Sequence, residues 1–288
     1  MSARVVRREA PAKVNALLRV LGRRDGGYHE LHSLVLSLDL VDTLAVREAR
    51  ELRVVVNGPS ELVEAVNTGG RNLALVAALA LVESCGAEKG AEIEITKRIP
   101  VAAGLGGGSA DAAAALHALN ELWRCPLDLG ELLDLGARVG SDVPSLLIGG
   151  PVEMSGRGER ARAVMAQPTF WTIKPFAFPI RSADAYRWWD EDGATSGPDV
   201  GELLAVAASG SADALGAALF NDLEGPVGRR HPEVIESKAV FMEAGALGAI
   251  MSGSGPAVAA LSSSRAEAER LSAAVPGSVV AAGQGRMG

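Results

Sequence analysis

IPVAAGLGGGSADAAAAL, residues 99–116, carries glycines at 104, 106, 107 and 108 and then passes into a run of small residues. Ahead of it, AEIEITKRI at 91–99 alternates apolar and polar positions like a half-buried strand, which Pro100 ends. Behind it the alanines favour a long helix from about Gly108–Ser109 through Trp123. A strand, a glycine loop and a helix start therefore follow in order. Backbone without β-carbons can turn tightly and aim successive N–H groups at one point, where the positive end of the helix dipole also converges. An anion fits there. Ser109 is placed to cap the helix or lend a hydroxyl, and Asp111 suits the dipole while opposing a second negative charge nearby. The loop has no Lys-Ser/Thr after its glycines, so it is not a Walker A loop, and Ser109 stands where a dinucleotide fingerprint needs its last glycine. H-R-D and D-F-G are absent, which excludes a protein-kinase-type site. The bland alternative is a glycine turn required only for close packing.

Working outward, VVRREA, VNALLRVL, HSLVLSLDL, DTLAVRE and LRVVVNG read as strands within the first sixty residues, with RRDGG at 23–27 supplying a reversal. Asn72 caps an apolar helix to about Cys85, and LDLGELLDLGARV repeats leucine at helical spacing before short strands follow. After residue 165 come a strand FWTIKPFAF, helices near 182–190, 199–208, 211–222 and 232–245, the strand pair ALGAIMSGSG and AVAALSS, a helix at 265–274 and a strand SVVAAG. GATSGPD at 193–199 reads as a surface loop. Strands and helices alternate without strict βαβ repetition, so the fold class is α+β.

The 288 residues carry 28 Lys and Arg against 35 Asp and Glu, a formal charge of −7, which disfavours a nucleic-acid partner or an acidic membrane surface. Cys85 and Cys125 show no metal-ligand spacing and read as buried thiols, neither a disulfide framework nor a zinc ribbon. MSARVVRREA has no apolar core of a secretory leader, and Ala244–Ser264 is too rich in glycine and serine for a membrane span, so a cytoplasmic protein is expected.

Three motifs in order, PAKVN at 11–15, PVAAGLGGGSADAAAAL at 100–116 and SGSGPAVAAL at 252–261, resemble the GHMP small-molecule kinases, named for galactokinase, homoserine kinase, mevalonate kinase and phosphomevalonate kinase. GGYHELHSL at 26–34, GSDVPSLLIGG at 140–150, SGRGE at 155–159 and FNDLE at 220–224 are similar to the branch acting on a cytidine-diphosphate-linked methylerythritol in isoprenoid precursor synthesis. The resemblance implies an N-terminal ribosomal-protein-S5-domain-2-like domain over 1–165, holding the ATP loop and catalytic residues, and a C-terminal ferredoxin-like domain over 166–288. It implies transfer of the ATP γ-phosphate to the 2-hydroxyl of the methylerythritol.

By the same resemblance Asp142 accepts the hydroxyl proton and Lys13 keeps that carboxylate ionised while screening phosphoryl oxygens. Alone, Lys13 would read as a solvated charge and Asp142 as a turn residue ahead of Val143-Pro144. Pro100, Val101, Ala102, Ala103, Gly104, Leu105, Gly106, Gly107, Gly108, Ser109 and Ala110 become the ATP loop, and Asn72 lies by the adenine. Asn15, on the same strand face as Lys13, meets substrate hydroxyls. Tyr28 stacks on cytosine and His29 bonds its edge, with Tyr186 across the base. Gly253 allows close backbone approach, and Ser252 or Ser254 donates a hydrogen bond. Mg2+ is expected to arrive with ATP, and H-E-L-H at 29–32 is not a zinc motif. Two departures stand out: Ala110 removes a hydroxyl the family commonly has in the loop, and Ser145 replaces an aromatic behind Asp142. Other readings are a homoserine- or mevalonate-type kinase, a nucleotide-binding regulator without turnover, and a dehydrogenase lacking its fingerprint. Monomer and homodimer are both open.

Overall fold

The computed structural model describes residues 4–24, 26–68, 72–86, 90–193 and 197–286. Packing sorts the chain into two compact units that are not consecutive in sequence. The first comprises residues to Ala12, Leu40–Val101 and Gly106–Ile148, and the second Lys13–Asp39, Ala102–Leu105 and residues from Gly149 onward.

Two long strands feed both units, β1 (Val5–Arg23) and β2 (His29–Ala49). Each fuses two of the segments expected as separate strands. The first unit adds β3 (Arg53–Asn57), α1 (Ser60–Thr68), α2 (Leu73–Cys85), β4 (Gly90–Thr96), α3 (Gly107–Trp123), α4 (Leu129–Val139) and α5 (Val143–Ile148). β3 pairs parallel with β4, and β4 pairs antiparallel with β2, Thr43 opposite Thr96 through Ala49 opposite Gly90. Alternation in β4 sends Ala91, Ile93 and Ile95 into the core under the helices. Ala74, Ala77 and Ala78 of α2 and Ala112 to Ala115 of α3 are all buried there, and side chains this small let two helices pack closely. Asp128 and Glu131 form a reciprocal capping box at the start of α4.

Two expectations fail here. Cys85 and Cys125 are not free thiols: they form a disulfide, with Cα atoms 5.8 Å apart. Cys85 ends α2 and Cys125 follows α3, so helix packing brings together two residues that a separation of 40 positions gave no reason to pair. α3 begins at Gly107, with Gly106 as its cap in the left-handed conformation (φ 72°) and no side-chain capping bond. Ser109 is therefore a first-turn residue and not the cap.

The second unit contains β5 (Pro151–Gly156), β6 (Arg160–Ala163), β7 (Thr169–Lys174), α6 (Ser182–Asp192), α7 (Val200–Ser209), α8 (Ala212–Ala218), β8 (Phe220–Asn221), α9 (Glu224–Arg230), α10 (Pro232–Glu243), β9 (Gly248–Met251), β10 (Val258–Ser262), α11 (Arg265–Ala274) and β11 (Val279–Gly283). β11, β7, β10 and β9 form an antiparallel run in that order. β2 pairs antiparallel with β5, and β8 runs parallel to β1, Leu17 opposite Phe220. Phe241, Met251, Val258, Ala260 and Leu271 pack in its core with Leu18 of β1. The helix expected over 211–222 stops at Ala218; β8 and α9 take the rest, because Asn221 and Asp222 are pulled into side-chain bonds with main chain elsewhere. Of the loop expected at 193–199, residues 194–196 lie outside the described residues. No described helix is long and apolar enough to cross a membrane.

Candidate active site

β1 holds Lys13 and Asn15 two residues apart, so both side chains leave the same face. The Lys13 ammonium, 3% exposed, donates to Asn15 Oδ1 at 2.6 Å and to the Gly104 carbonyl at 2.8 Å. Asn15 Nδ2 donates to Ser33 Oγ at 2.8 Å, and Ser33 Oγ donates to the Leu17 carbonyl at 2.5 Å. The Gly104 carbonyl also accepts from Ser252 Oγ at 2.9 Å. Main-chain bonds sew the Ala102–Leu105 segment to the same place: the Lys13 N–H donates to Leu105 O at 2.9 Å and the Ala257 N–H to Ala103 O at 3.0 Å. Gly104 has φ 80°, and a β-carbon on it would stand 2.1 Å from the Ser252 carbonyl oxygen. One on Gly253 (φ 57°) would stand 2.8 Å from Lys13 Nζ. Both glycines are there for contact as well as for conformation. Ala102, a non-glycine residue at φ 53°, marks the bend ahead of Gly104.

In the first unit the loop continues into α3. Gly107, Gly108 and Ser109 open the helix, where N–H groups lack intrahelical partners. Ala110 does not share this role. Its N–H donates to the Gly106 carbonyl at 2.8 Å and its side chain is 1% exposed in the core, so the family's hydroxyl, if present, would face packed side chains and not a ligand. Ser109 Oγ lies 3.8 Å from where a Gly140 β-carbon would be, so the first turn of α3 abuts the turn that carries Asp142. Asp142 immediately precedes α5 and is half-buried; its carbonyl accepts from the Leu146 N–H at 3.3 Å and from Ser145 Oγ at 2.8 Å. Ser145 therefore bonds the main chain of Asp142 where an aromatic would only pack. Asn72 caps α2, its Oδ1 accepting from the Ala74 N–H at 2.9 Å.

Beneath the helix start lies a buried ionic cluster. Lys97 Nζ pairs with Asp42 and, at 2.7 Å, with Asp111 Oδ2. Asp42 Oδ1 also accepts from the Arg98 and Ile99 N–H groups at 2.5 and 2.9 Å. Burial opposes the Lys97 charge, yet Asp111 and Asp42 hold its ammonium above the ordinary lysine range. Burial, reinforced by Asp42, lifts Asp111 to about 7 despite Lys97, and its Oδ1 is buried without a partner. Two acids sharing one ammonium away from water hold on to a proton.

The third group of residues lies in the second unit, around an exposed tyrosine. Tyr28 is 57% exposed, and the Arg157 guanidinium rests 5.2 Å from its ring centroid. His29 stacks directly on Tyr186, ring centroids 4.9 Å apart at 18°, and its Nε2 is 2.8 Å from Asp190 Oδ1. Those two rings are in contact, so no base fits between them as they stand. Ser254 Oγ is 3.0 Å from Ser182 Oγ. His32 pairs with Glu153 at 2.7 Å, and among the described residues no three His, Cys, Asp or Glu side chains are placed to hold a metal ion.

Sequence reading missed the residues that hold these groups in place. Asn221 Nδ2 donates to the Met251 and Gly253 carbonyls at 2.7 and 2.8 Å while its Oδ1 accepts from the Leu223 N–H at 2.9 Å. Glu224 Oε2 accepts from the Met251 N–H at 2.8 Å. Only the motif FNDLE signalled them, without a role. Lys97 and Asp42 gave no local sign.

Comparison with known proteins agrees with these motifs. The GHMP kinases N terminal domain matches residues 72–150 and the GHMP kinases C terminal domain residues 203–281. The chain is 42% identical over 265 residues to the 4-diphosphocytidyl-2-C-methyl-D-erythritol kinase of Symbiobacterium thermophilum, covering 91% of this chain and 93% of that one. It is 40% identical to the enzyme of that name from Exiguobacterium sibiricum, covering 91% of each. A crystal structure of 4-(cytidine 5'-diphospho)-2C-methyl-D-erythritol kinase superposes with TM-score 0.81 at 34% identity, over 98% of this chain and 100% of that one. Homoserine kinase from Cytophaga hutchinsonii, at TM-score 0.76 and 21% identity over 99% and 96%, shares the fold alone. Fold is common to several chemistries, but whole-length identity of this order is not, and on that ground the chain belongs to the 4-diphosphocytidyl-2-C-methyl-D-erythritol kinase family of GHMP kinases.

Proposed function

We propose that the protein transfers the γ-phosphate of ATP to the 2-hydroxyl of 4-diphosphocytidyl-2-C-methyl-D-erythritol, releasing ADP. The observation that carries this reading is whole-length identity of about 40% to enzymes of that name, joined to the presence of Lys13 and Asp142 within their motifs. Asp142 takes the hydroxyl proton as the oxygen attacks phosphorus, and Lys13 offsets charge on the phosphoryl oxygens. The burial of the Lys13 ammonium and its bonds to Gly104 and Asn15 support a positioned cation over a solvated one.

The first-turn N–H groups at Gly107, Gly108 and Ser109 are assigned to the nucleotide phosphates, with Pro100 through Leu105 forming the approach to them. Mg2+ would come with the nucleotide and spread its charge. Tyr28 and His29 are assigned to cytosine, with Asn15, Gly253 and Ser254 toward the sugar alcohol and Tyr186 behind His29. The two family domains are taken as 1–165 and 166–288, a division that keeps each matched stretch whole.

The test is a panel of alcohols with ATP and Mg2+, following ADP release. Turnover is expected with the cytidine-linked methylerythritol and background rates with homoserine and mevalonate; the reverse order would replace this reading with a sister kinase.

A further inference from the structure

The hairpin turn joining β5 to β6 is built to present one side chain. Gly156 and Gly158 flank Arg157 with φ of 78° and 116°, a conformation other residues adopt only at a cost. Glu159 folds back over the turn and accepts from the Arg157 N–H at 2.6 Å, and a β-carbon on Gly156 would stand 2.4 Å from its carboxylate. Burial works against the Glu159 charge, but those main-chain N–H bonds with Arg24 and Arg160 hold the carboxyl below its ordinary range. The acids of this cluster are already engaged. Glu30 pairs with Arg24 and, at 2.9 Å, with Arg160; Glu159 lies 3.6 Å from Arg24; Asp190 is bonded to His29. Among the described residues no carboxylate pairs with the Arg157 guanidinium, which is half-buried against the Tyr28 ring.

We infer that Arg157 is a specificity-determining residue that binds the diphosphate of the nucleotide-linked substrate. The inference rests on the cytidine reading above and names the charge that would accompany it. Contact with an exposed ring holds an arginine weakly, whereas a guanidinium fork meets phosphate oxygens with two charge-assisted hydrogen bonds. A base stacking on the open face of Tyr28 brings its own diphosphate toward the guanidinium behind the ring, and Arg157 leaves the ring for the phosphates. Tyr28 and Arg157 would then read successive parts of one ligand, the base and the charge attached to it.

The experiment measures binding of cytidine and of CDP to the full-length protein and to Arg157→Met and Arg157→Lys, with thermal melts to confirm folding. Arg157→Met is expected to weaken CDP about tenfold and leave cytidine within about twofold, with Arg157→Lys between it and the wild type. Raising salt should weaken CDP binding to the wild type more than to Arg157→Met. Equal losses for cytidine and CDP, or no loss of either, would overturn the inference and leave Arg157 as a support for Tyr28. Wild-type protein that binds neither ligand would overturn the cytidine reading itself, and this inference with it.

Discussion

The polar network around Lys13 and the aromatic rim around Tyr28 lie in the same unit and are held in opposite ways. Around Lys13 the polar contacts are buried or partly buried and shared: Gly104 O serves both Lys13 and Ser252, and Asn15 bonds Lys13 on one side and Ser33 on the other. Around Tyr28 the ring itself is open to water and is held by a guanidinium against its face, while His29 beside it stacks on Tyr186 and bonds Asp190. Away from water an unmade hydrogen bond costs its full desolvation, so the network admits one geometry; at the rim water substitutes for a lost partner. Changes in the interior should therefore disturb the chemical step or the fold, and changes at the rim should disturb affinity for one substrate.

The largest expected effect tests the chemical step itself. Asp142→Asn should lower kcat by about 10²–10⁴ while binding of ATP and of the cytidine substrate persists, as read by single-turnover kinetics and equilibrium binding. Near-normal kcat would remove Asp142 from the role of base. Gly104→Ala should destabilise the fold by about 3 kcal/mol, because the added methyl meets a carbonyl oxygen in backbone that cannot step aside, and denaturant melts will show it. An unchanged midpoint would mean that the interior is softer than its bonding implies. Asn221→Ala should cost on the order of 2 kcal/mol and lower turnover, since it strands the Met251 and Gly253 carbonyls that set the turn beside Lys13. At the rim, His29→Ala should raise KM for the cytidine substrate about tenfold and leave KM for ATP unchanged; equal shifts in both would erase the distinction between the regions.

The smallest effect concerns pH. The Asp111 carboxyl stands at about 7 in the folded chain against an ordinary 3.8. Between those values the folded chain keeps a proton that the unfolded chain has lost, so this group's contribution to stability falls as pH rises from about 4 to about 7. Asp111→Asn has no such proton to lose. Its melting temperature relative to wild type should climb over that interval, and a flat difference would show that Lys97 keeps Asp111 ionised throughout.

Much of this was legible in the chain. The glycine run, the alternation of AEIEIT and the helix capped by Asn72 are local signals, and each became the element expected of it. Lys13 and Asn15 share a face because strand periodicity requires it. The disulfide, the Lys97 cluster and the role of Asn221 were not legible, because each joins residues distant in sequence whose meeting depends on how helices and strands pack. The helix expected over 211–222 erred for the same cause: local propensity favoured helix, and side-chain bonds to a remote turn outweighed it.

By itself the amino-acid sequence determined most of the strand and helix segments, where the glycine loop lies and which family's motifs are present, since these depend on periodicity and on residue types next to one another. Tertiary structure alone decided that Ala110 faces the core, that Ser109 does not cap α3, that Cys85 meets Cys125 and that the Arg157 guanidinium rests on Tyr28 while Glu159 bonds its main chain. The physical reason is that burial and ion pairing are properties of neighbours in space, and a chain acquires those neighbours only by folding.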